Sequence, residues 1–199
     1  MPERIYASPI KEPFIVSWKD FVQYVKEDWT VNDRDWKRPG MQAMFVYRLG
    51  IWRYSIRRRV FRAPLSILCR FFQVLVRNLY GIEIAETSLI GRRLRVAHQH
   101  GITVHPQAVI GDDCLIRHGV SIGRAANHGS GAQCAAPVLG DRVEIGANSV
   151  VVGGISIGDD VVIGPCVAVM RSIRAGSIVV AHPPRIMAQP PRPAAEEEA

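Results

Sequence analysis

Residues 139–169 read Leu139-Gly-Asp-Arg-Val-Glu-Ile145-Gly-Ala-Asn-Ser-Val-Val151-Val-Gly-Gly-Ile-Ser-Ile157-Gly-Asp-Asp-Val-Val-Ile163-Gly-Pro-Cys-Val-Ala-Val169. An aliphatic side chain returns at every sixth position. Glycine follows it at Gly140, Gly146, Gly158 and Gly164. A period of six matches neither the 3.6-residue helix nor the two-residue alternation of a hairpin meander. It is the hexapeptide signature of a parallel β-helix, in which three hexads make one triangular coil and the repeating aliphatic points inward.

The same beat extends upstream. Ile84, Ile90 and Val96 are six apart, a step of eight reaches Val104, and Ile110, Ile116 and Ile122 follow at six. Gly91, Gly111 and Gly123 again follow the aliphatic, and small or β-branched residues stand four places after it, as at Ser88, Ala108, Cys114, Val120, Ser149, Val161 and Val167. About thirteen hexads make about four coils, enough for a stack whose coils bury one another, provided the ends are covered. The rhythm breaks twice. The step after Val96 is two residues too long and carries His98 and His100, and after Ile122 about eleven small and polar residues intervene before the next hexad. Departures from a strict repeat are where a regular scaffold carries its chemistry.

The remaining chain differs in kind. Residues 1–80 read as helical. Met41, Met44, Phe45, Arg48 and Trp52 recur at helical spacing behind Pro39, and a second helix from about Pro64 to Tyr80 carries an apolar stripe of Leu65, Leu68, Phe72, Leu75, Val76 and Leu79. These residues hold 15 basic and 7 acidic side chains, whereas residues 81–199 hold 10 and 11, so the net +7 belongs to the first segment. Between Arg48 and Arg77 lie eight arginines and no acid. That segment reads either as a contact for an anionic membrane surface or, more plainly, as a solvated helical face packing on a neighbouring subunit. The expected divisions are a helical region at 1–80, a β-helix at 81–187 and a disordered tail at 188–199.

Composition excludes several classes. With 48% apolar and 22% charged residues the chain is globular. No apolar run is long enough for a membrane span, and residues 1–13 are charged and lack the apolar core of a signal peptide, so a cytoplasmic protein is expected. Cys69, Cys114, Cys134 and Cys166 are scattered, without the spacing of a zinc ribbon or a disulfide framework. Cys114 and Cys166 fall at inward positions of the repeat, while Cys134 falls in the long loop. No nucleic-acid motif is present.

From Gly81-Ile-Glu-Ile-Ala, through Val96-Ala-His-Gln-His-Gly and Ile145-Gly-Ala-Asn-Ser-Val-Val, to the closing Pro183-Pro-Arg-Ile, the chain resembles the hexapeptide-repeat O-acetyltransferases related to serine acetyltransferase, including variants from polysaccharide clusters. Upstream, Arg38-Pro-Gly-Met-Gln-Ala-Met-Phe-Val-Tyr-Arg-Leu-Gly-Ile-Trp is similar to that family's last N-terminal helices. The resemblance implies a left-handed all-β coil, a homotrimer with active sites shared between subunits (or a dimer of trimers), and acetyl-CoA as donor with no metal. It implies His98 as the base that deprotonates the acceptor hydroxyl. It also implies Glu83 as the carboxylate that orients this imidazole and stabilises its charged form; fifteen residues apart, the two are expected on neighbouring rungs. Gly123, Ala147 and Pro165 would line the coenzyme channel, with Arg185 for its phosphates. His100 lines the acceptor cleft or faces solvent, and His128 in the long loop touches acceptor or coenzyme or neither. His105 and His118 read as solvated turn residues and His182 as structural.

The chain departs from the serine-binding pattern at two places. Ala97 stands where an Asp precedes the catalytic His, and the long loop ends Ala135-Ala136-Pro137 instead of Arg-His-Pro. The terminal Glu-Glu-Glu-Ala lacks the isoleucine with which relatives dock on cysteine synthase, so no such docking is expected. L-serine and a sugar or exopolysaccharide precursor therefore both stand as acceptors. The other classes are a non-catalytic β-helix scaffold and a zinc hydratase; the latter needs a third histidine to join His100 and His105.

Overall fold

Every third hexad must land on the same face, and it does. The computed structural model describes residues 15–124 and 136–182. Fourteen short strands, numbered in chain order, form three parallel sheets. The first face holds β1 (Ile82–Ile84), β4 (Ile102–Val104), β7 (Ser121–Gly123), β10 (Val150–Val152) and β13 (Ala168–Val169). The second holds β2 (Leu89–Ile90), β5 (Val109–Ile110), β8 (Val138–Leu139) and β11 (Ser156–Ile157). The third holds β3 (Arg95–Ala97), β6 (Leu115–Arg117), β9 (Glu144–Ile145), β12 (Val162–Ile163) and β14 (Ile178–Val179). The sixth-position aliphatics stack in register: Ile90 on Ile110, Leu139 and Ile157, and Val96 on Ile116, Ile145 and Ile163. All of these are buried.

The glycine after each second-face aliphatic marks the bend to the third face, where coils approach too closely for a side chain. A Cβ on Gly111 would meet the Gly140 carbonyl oxygen at 2.4 Å. The residues that follow build a polar column. Arg92 N donates to Asp112 Oδ1 (2.7 Å), Asp112 N to Asp141 Oδ1 (2.8 Å) and Asp141 N to Asp159 Oδ1 (2.9 Å). Arg93, Asp113, Arg142 and Asp160 complete these turns in the left-handed conformation, and Arg93 pairs with Asp113 and Arg142 with Asp160.

The open end of the first coil would expose Ile82, Ile90 and Leu94, and the helical region covers it. Three helices, α1 (Trp18–Val31), α2 (Pro39–Trp52) and α3 (Arg59–Tyr80), precede the β-helix, and Gly81 terminates α3 in the left-handed conformation that favours glycine. Helix α2 lies on the coil, its Met44, Val46 and Tyr47 joining the β-helix core. The Tyr47 hydroxyl donates to Ser88 O (2.7 Å) and accepts from Ile90 N (3.1 Å). Arg48, fully buried, forms an ion pair with Asp28 of α1 (2.8 Å) and donates to Ile90 O and Gly91 O. Asn32 donates to Leu94 O and accepts from Val96 N. Removing one member of such a buried ion pair leaves an uncompensated charge and costs about 3–5 kcal/mol.

Several expectations change. Arg48 and Arg53 are not part of a surface cluster, because they are buried against Asp28 and Glu86. Helix α3 starts at Arg59, earlier than Pro64, and only Cys69 and Val76 of it are buried, so Leu68, Phe72 and Leu79 of its apolar stripe are exposed. Cys166 is exposed at a left-handed corner, displaced from the inward position that Val167 takes. His182 is exposed.

Candidate active site

The two extra residues after Val96 are spent at the corner between the third face and the first. Consecutive coils are twenty residues apart there, as the pairing of Ala97 with Arg117 shows, against eighteen between β4 and β7. His98 (φ 69°), His100 (φ 74°) and Gly101 (φ 71°) all take positive φ, a conformation that costs a β-carbon-bearing residue free energy and persists only where its surroundings enforce it. They do: His100 N donates to Tyr80 O (2.7 Å) and Gly119 N to His100 O (2.9 Å), so the bulge is held from both sides along the coil axis.

This geometry presents the His98 side chain, exposed, beside a cleft of about 270 Å³ lined by Asp33, Arg38, Arg95, Ala97 and Arg117 among others. Asp33 pairs with Arg38 (3.2 Å) and Arg95 (3.0 Å), whereas Arg117 has no ion-pair partner among the described residues. The next coil places His118 beneath His98, with ring centroids 5.5 Å apart and planes at 79°. His118 is half-buried, and its Nδ1 has no hydrogen-bond partner among the described residues. Further along the same corner, Asn148 N donates to His118 O and Cys166 N to Ala147 O, both at 2.9 Å. His98, His118, Ala147 and Pro165–Cys166 therefore form one column along the coil axis.

The sequence-expected residues divide accordingly. His98, His100, Ala147 and Pro165 share this corner. Gly123 ends β7, pairs with Val152 and lies at the opposite edge of the first face. Glu83 sits in the middle of β1 opposite Thr103, five residues past His98, so it does not stack directly on the His98 ring; its strand pairs with β4, the strand that the His98 corner enters. No hydrogen bond joins the two. Glu83 lines a second cleft, of about 430 Å³, between the helices and β1, together with Arg70, Gln73 and Arg77 and with Arg53–Glu86 paired in its wall. His128 and Arg185 lie outside the described residues. His105 is half-buried, its Nδ1 accepting from Gln107 N (3.2 Å). Burial pushes the Cys114 thiol up to about 12, so it is an inert core group. Among the described residues no three His, Cys, Asp or Glu gather as metal ligands.

His118 and Arg117 were missed as site residues. Their signal was arithmetic: once the bulge lengthens the coil to twenty, residue 118 falls beneath residue 98.

A family profile described as bacterial transferase hexapeptide (six repeats) matches residues 136–171. The serine acetyltransferase of Helicobacter pylori is 35% identical over 142 residues, covering 71% of this chain and 77% of that one. The chain belongs to the serine acetyltransferase-like hexapeptide-repeat acetyltransferases. An Escherichia coli acetyltransferase named for colanic acid biosynthesis is 33% identical over 165 residues, 80% of this chain and 96% of that protein. The serine acetyltransferase of Mycobacterium tuberculosis is 32% identical over 151 residues, and the chain spans 62% of its length; for the Synechococcus elongatus enzyme that share is 57%. Among solved structures, serine acetyltransferase isoform 3 of Entamoeba histolytica, crystallised with cysteine, superposes with a TM-score of 0.66 at 24% identity, covering 85% of this chain and 61% of that one. The shared fold is the left-handed parallel β-helix preceded by helices.

Proposed function

We propose that the chain transfers acetyl from acetyl-CoA to the hydroxyl of a small acceptor, with His98 as general base. The carrying observation is the pinned left-handed corner, which holds an exposed imidazole at the head of a column running through His118 to Ala147 and Pro165 and beside a polar cleft. His98 takes the acceptor's hydroxyl proton as that oxygen attacks the thioester carbon. Collapse of the tetrahedral intermediate breaks the carbon–sulfur bond, the imidazolium returns the proton to the leaving thiolate, and an acetyl ester and free coenzyme A result. Glu83 serves as the positioning carboxylate by turning toward the Tyr80–His100 corner, to which β1 is tied by the hydrogen bond from Ile102 N to Gly81 O. Ala147 and Pro165 leave room along the column for the pantetheine arm, while Gly123, at the opposite edge of the face, meets it from the neighbouring subunit of a cytoplasmic homotrimer. Arg185 meets the phosphates, and no metal takes part.

L-serine is the acceptor that the relatives' names put first. A saccharide or its phosphorylated precursor is the second reading, favoured by the cleft itself. Ala97 offers no carboxylate to an amino group there, and Arg38, Arg95 and Arg117 outnumber Asp33. The span of 96% of the colanic acid relative points the same way. Thiol release from acetyl-CoA decides between them, measured with L-serine and then with sugars and nucleotide sugars. Serine-dependent release that His98→Ala abolishes supports the first acceptor and release with saccharides only supports the second. Release with any acceptor that survives His98→Ala overturns the assignment of the base.

A further inference from the structure

Helix α3 turns its apolar stripe outward. Val60, Phe61, Ile67, Phe71 and Leu79 are 79%, 62%, 71%, 57% and 60% exposed, and Leu68 and Phe72 continue the band at the same three- and four-residue spacing. The opposite side, Cys69 and Val76, packs on the rest of the protein. A band of this size facing water is a docking surface. Its rim says what docks. Arg57, Arg58 and Arg59 stand at the head of the helix and Arg70 and Arg77 along its flank, none ion-paired among the described residues, and residues 54–82 contain no carboxylate. A second copy laid on this stripe would bring arginines against arginines. Among the described residues no helix is long and apolar enough to cross a membrane, so a membrane contact of α3 would run along the surface.

We propose that α3 is an interfacial anchor that lies in the headgroup layer of an anionic lipid bilayer. The aromatic and aliphatic band enters the acyl boundary, and the five arginines contact lipid phosphates. The band supplies apolar transfer and the guanidinium groups supply headgroup attraction, the two signals that stable peripheral binding requires. Helix α3 ends at Tyr80, whose carbonyl accepts from His100 N, so the anchor runs directly into the His98 corner.

Flotation of the purified full chain tests this with two vesicle types, phosphatidylcholine alone and phosphatidylcholine with roughly one-third phosphatidylglycerol. The expected result is co-flotation with the anionic vesicles, at least about tenfold above the zwitterionic ones and weakened by salt. Phe71→Ser and the double variant Arg70→Glu/Arg77→Glu should each reduce it about tenfold or more. Both alter exposed positions, so unchanged circular dichroism and melting separate lost binding from lost folding. Protein that stays out of the floated fraction with both vesicle types overturns the proposal. So does a wild-type assembly that Phe71→Ser splits into smaller oligomers without any vesicle binding, since the stripe would then be covered by a second copy. Equal flotation with both vesicle types overturns the role given to the arginines.

Discussion

The β-helix has two kinds of corner built from the same backbone device. Between the second and third faces, Arg93, Asp113, Arg142 and Asp160 take positive φ; between the third and the first, His98, His100, Asn148 and Cys166 do. At the first corner nearly every polar group is answered within the chain, by the aspartate column and by the Arg93–Asp113 and Arg142–Asp160 pairs. At the second, among the described residues, His118 Nδ1 has no partner, His98 has a ring contact with His118 alone, and Arg117 has no ion-pair partner. A turn that satisfies itself is architecture. A turn of the same shape that leaves bases and cations unanswered is available for chemistry. The conformation alone is therefore a poor marker of function, and the state of its polar groups is the better one.

The sharpest way to break this contrast is to delete a ring at the unanswered corner. His98→Ala should lower kcat by about 10²–10⁴ while leaving the melting temperature near that of the parent, because an exposed side chain is lost and the bulge's backbone hydrogen bonds remain. A loss of stability without loss of rate would reverse the roles given to the two corners. The converse substitution is Asp141→Ala at the self-satisfied corner. It strands the Asp112 amide, whose hydrogen bond at 2.8 Å is removed, and should cost about 1–3 kcal/mol in denaturant unfolding with kcat unchanged.

His118→Phe sharpens the contrast from within the active corner. The ring contact at 5.5 Å is kept while the nitrogens are lost. If His118 positions His98 only by packing, kcat should change less than about threefold; if its nitrogen tunes the base, kcat should fall by about tenfold, a difference of about 1.4 kcal/mol, and the pH–rate profile should move. An Asn substitution that restores the profile would identify the nitrogen as the group responsible.

How far the sequence reveals each corner follows from the same physics. The three buried columns were readable because every coil repeats one constraint, an inward aliphatic, and thirteen repetitions leave no competing period. The corner of His98 was readable as a break in that period. Its partner was not, since His118 comes under His98 only after the coil has lengthened to twenty residues, and a spacing of fifteen to Glu83 looked closer to one turn than it is. The helices were the least legible part. The stripe on α3 has the pattern of a core face, and periodicity cannot say whether such a face meets protein or water. Nor does an arginine in a basic run announce that it is buried, as Arg48 is, unless its carboxylate twenty residues earlier is placed beside it.

The smallest expected effect concerns the charged pairs of the self-satisfied corner. Hydrogen bonds from Arg93 hold the Asp113 carboxyl below the ordinary carboxylate range, and those from Arg142 do the same for Asp160. In each case the unfolded chain takes up a proton at a pH where the folded protein does not. The pairs therefore stabilise the fold above the unfolded carboxylate value, and that stabilisation is lost as pH falls through the lower, folded value. Both carboxylates are substantially exposed, at 41% and 56%, so screening keeps the Arg93–Asp113 contribution to about 0.2–1 kcal/mol. Melting curves of the parent and of Asp113→Asn should thus differ slightly at neutral pH, converge under acid and draw together in high salt. A gap that instead widens on acidification would mean that the neutral form of Asp113 is the stabilising one. The corner would then not be the self-satisfied structure from which the His98 corner has been distinguished.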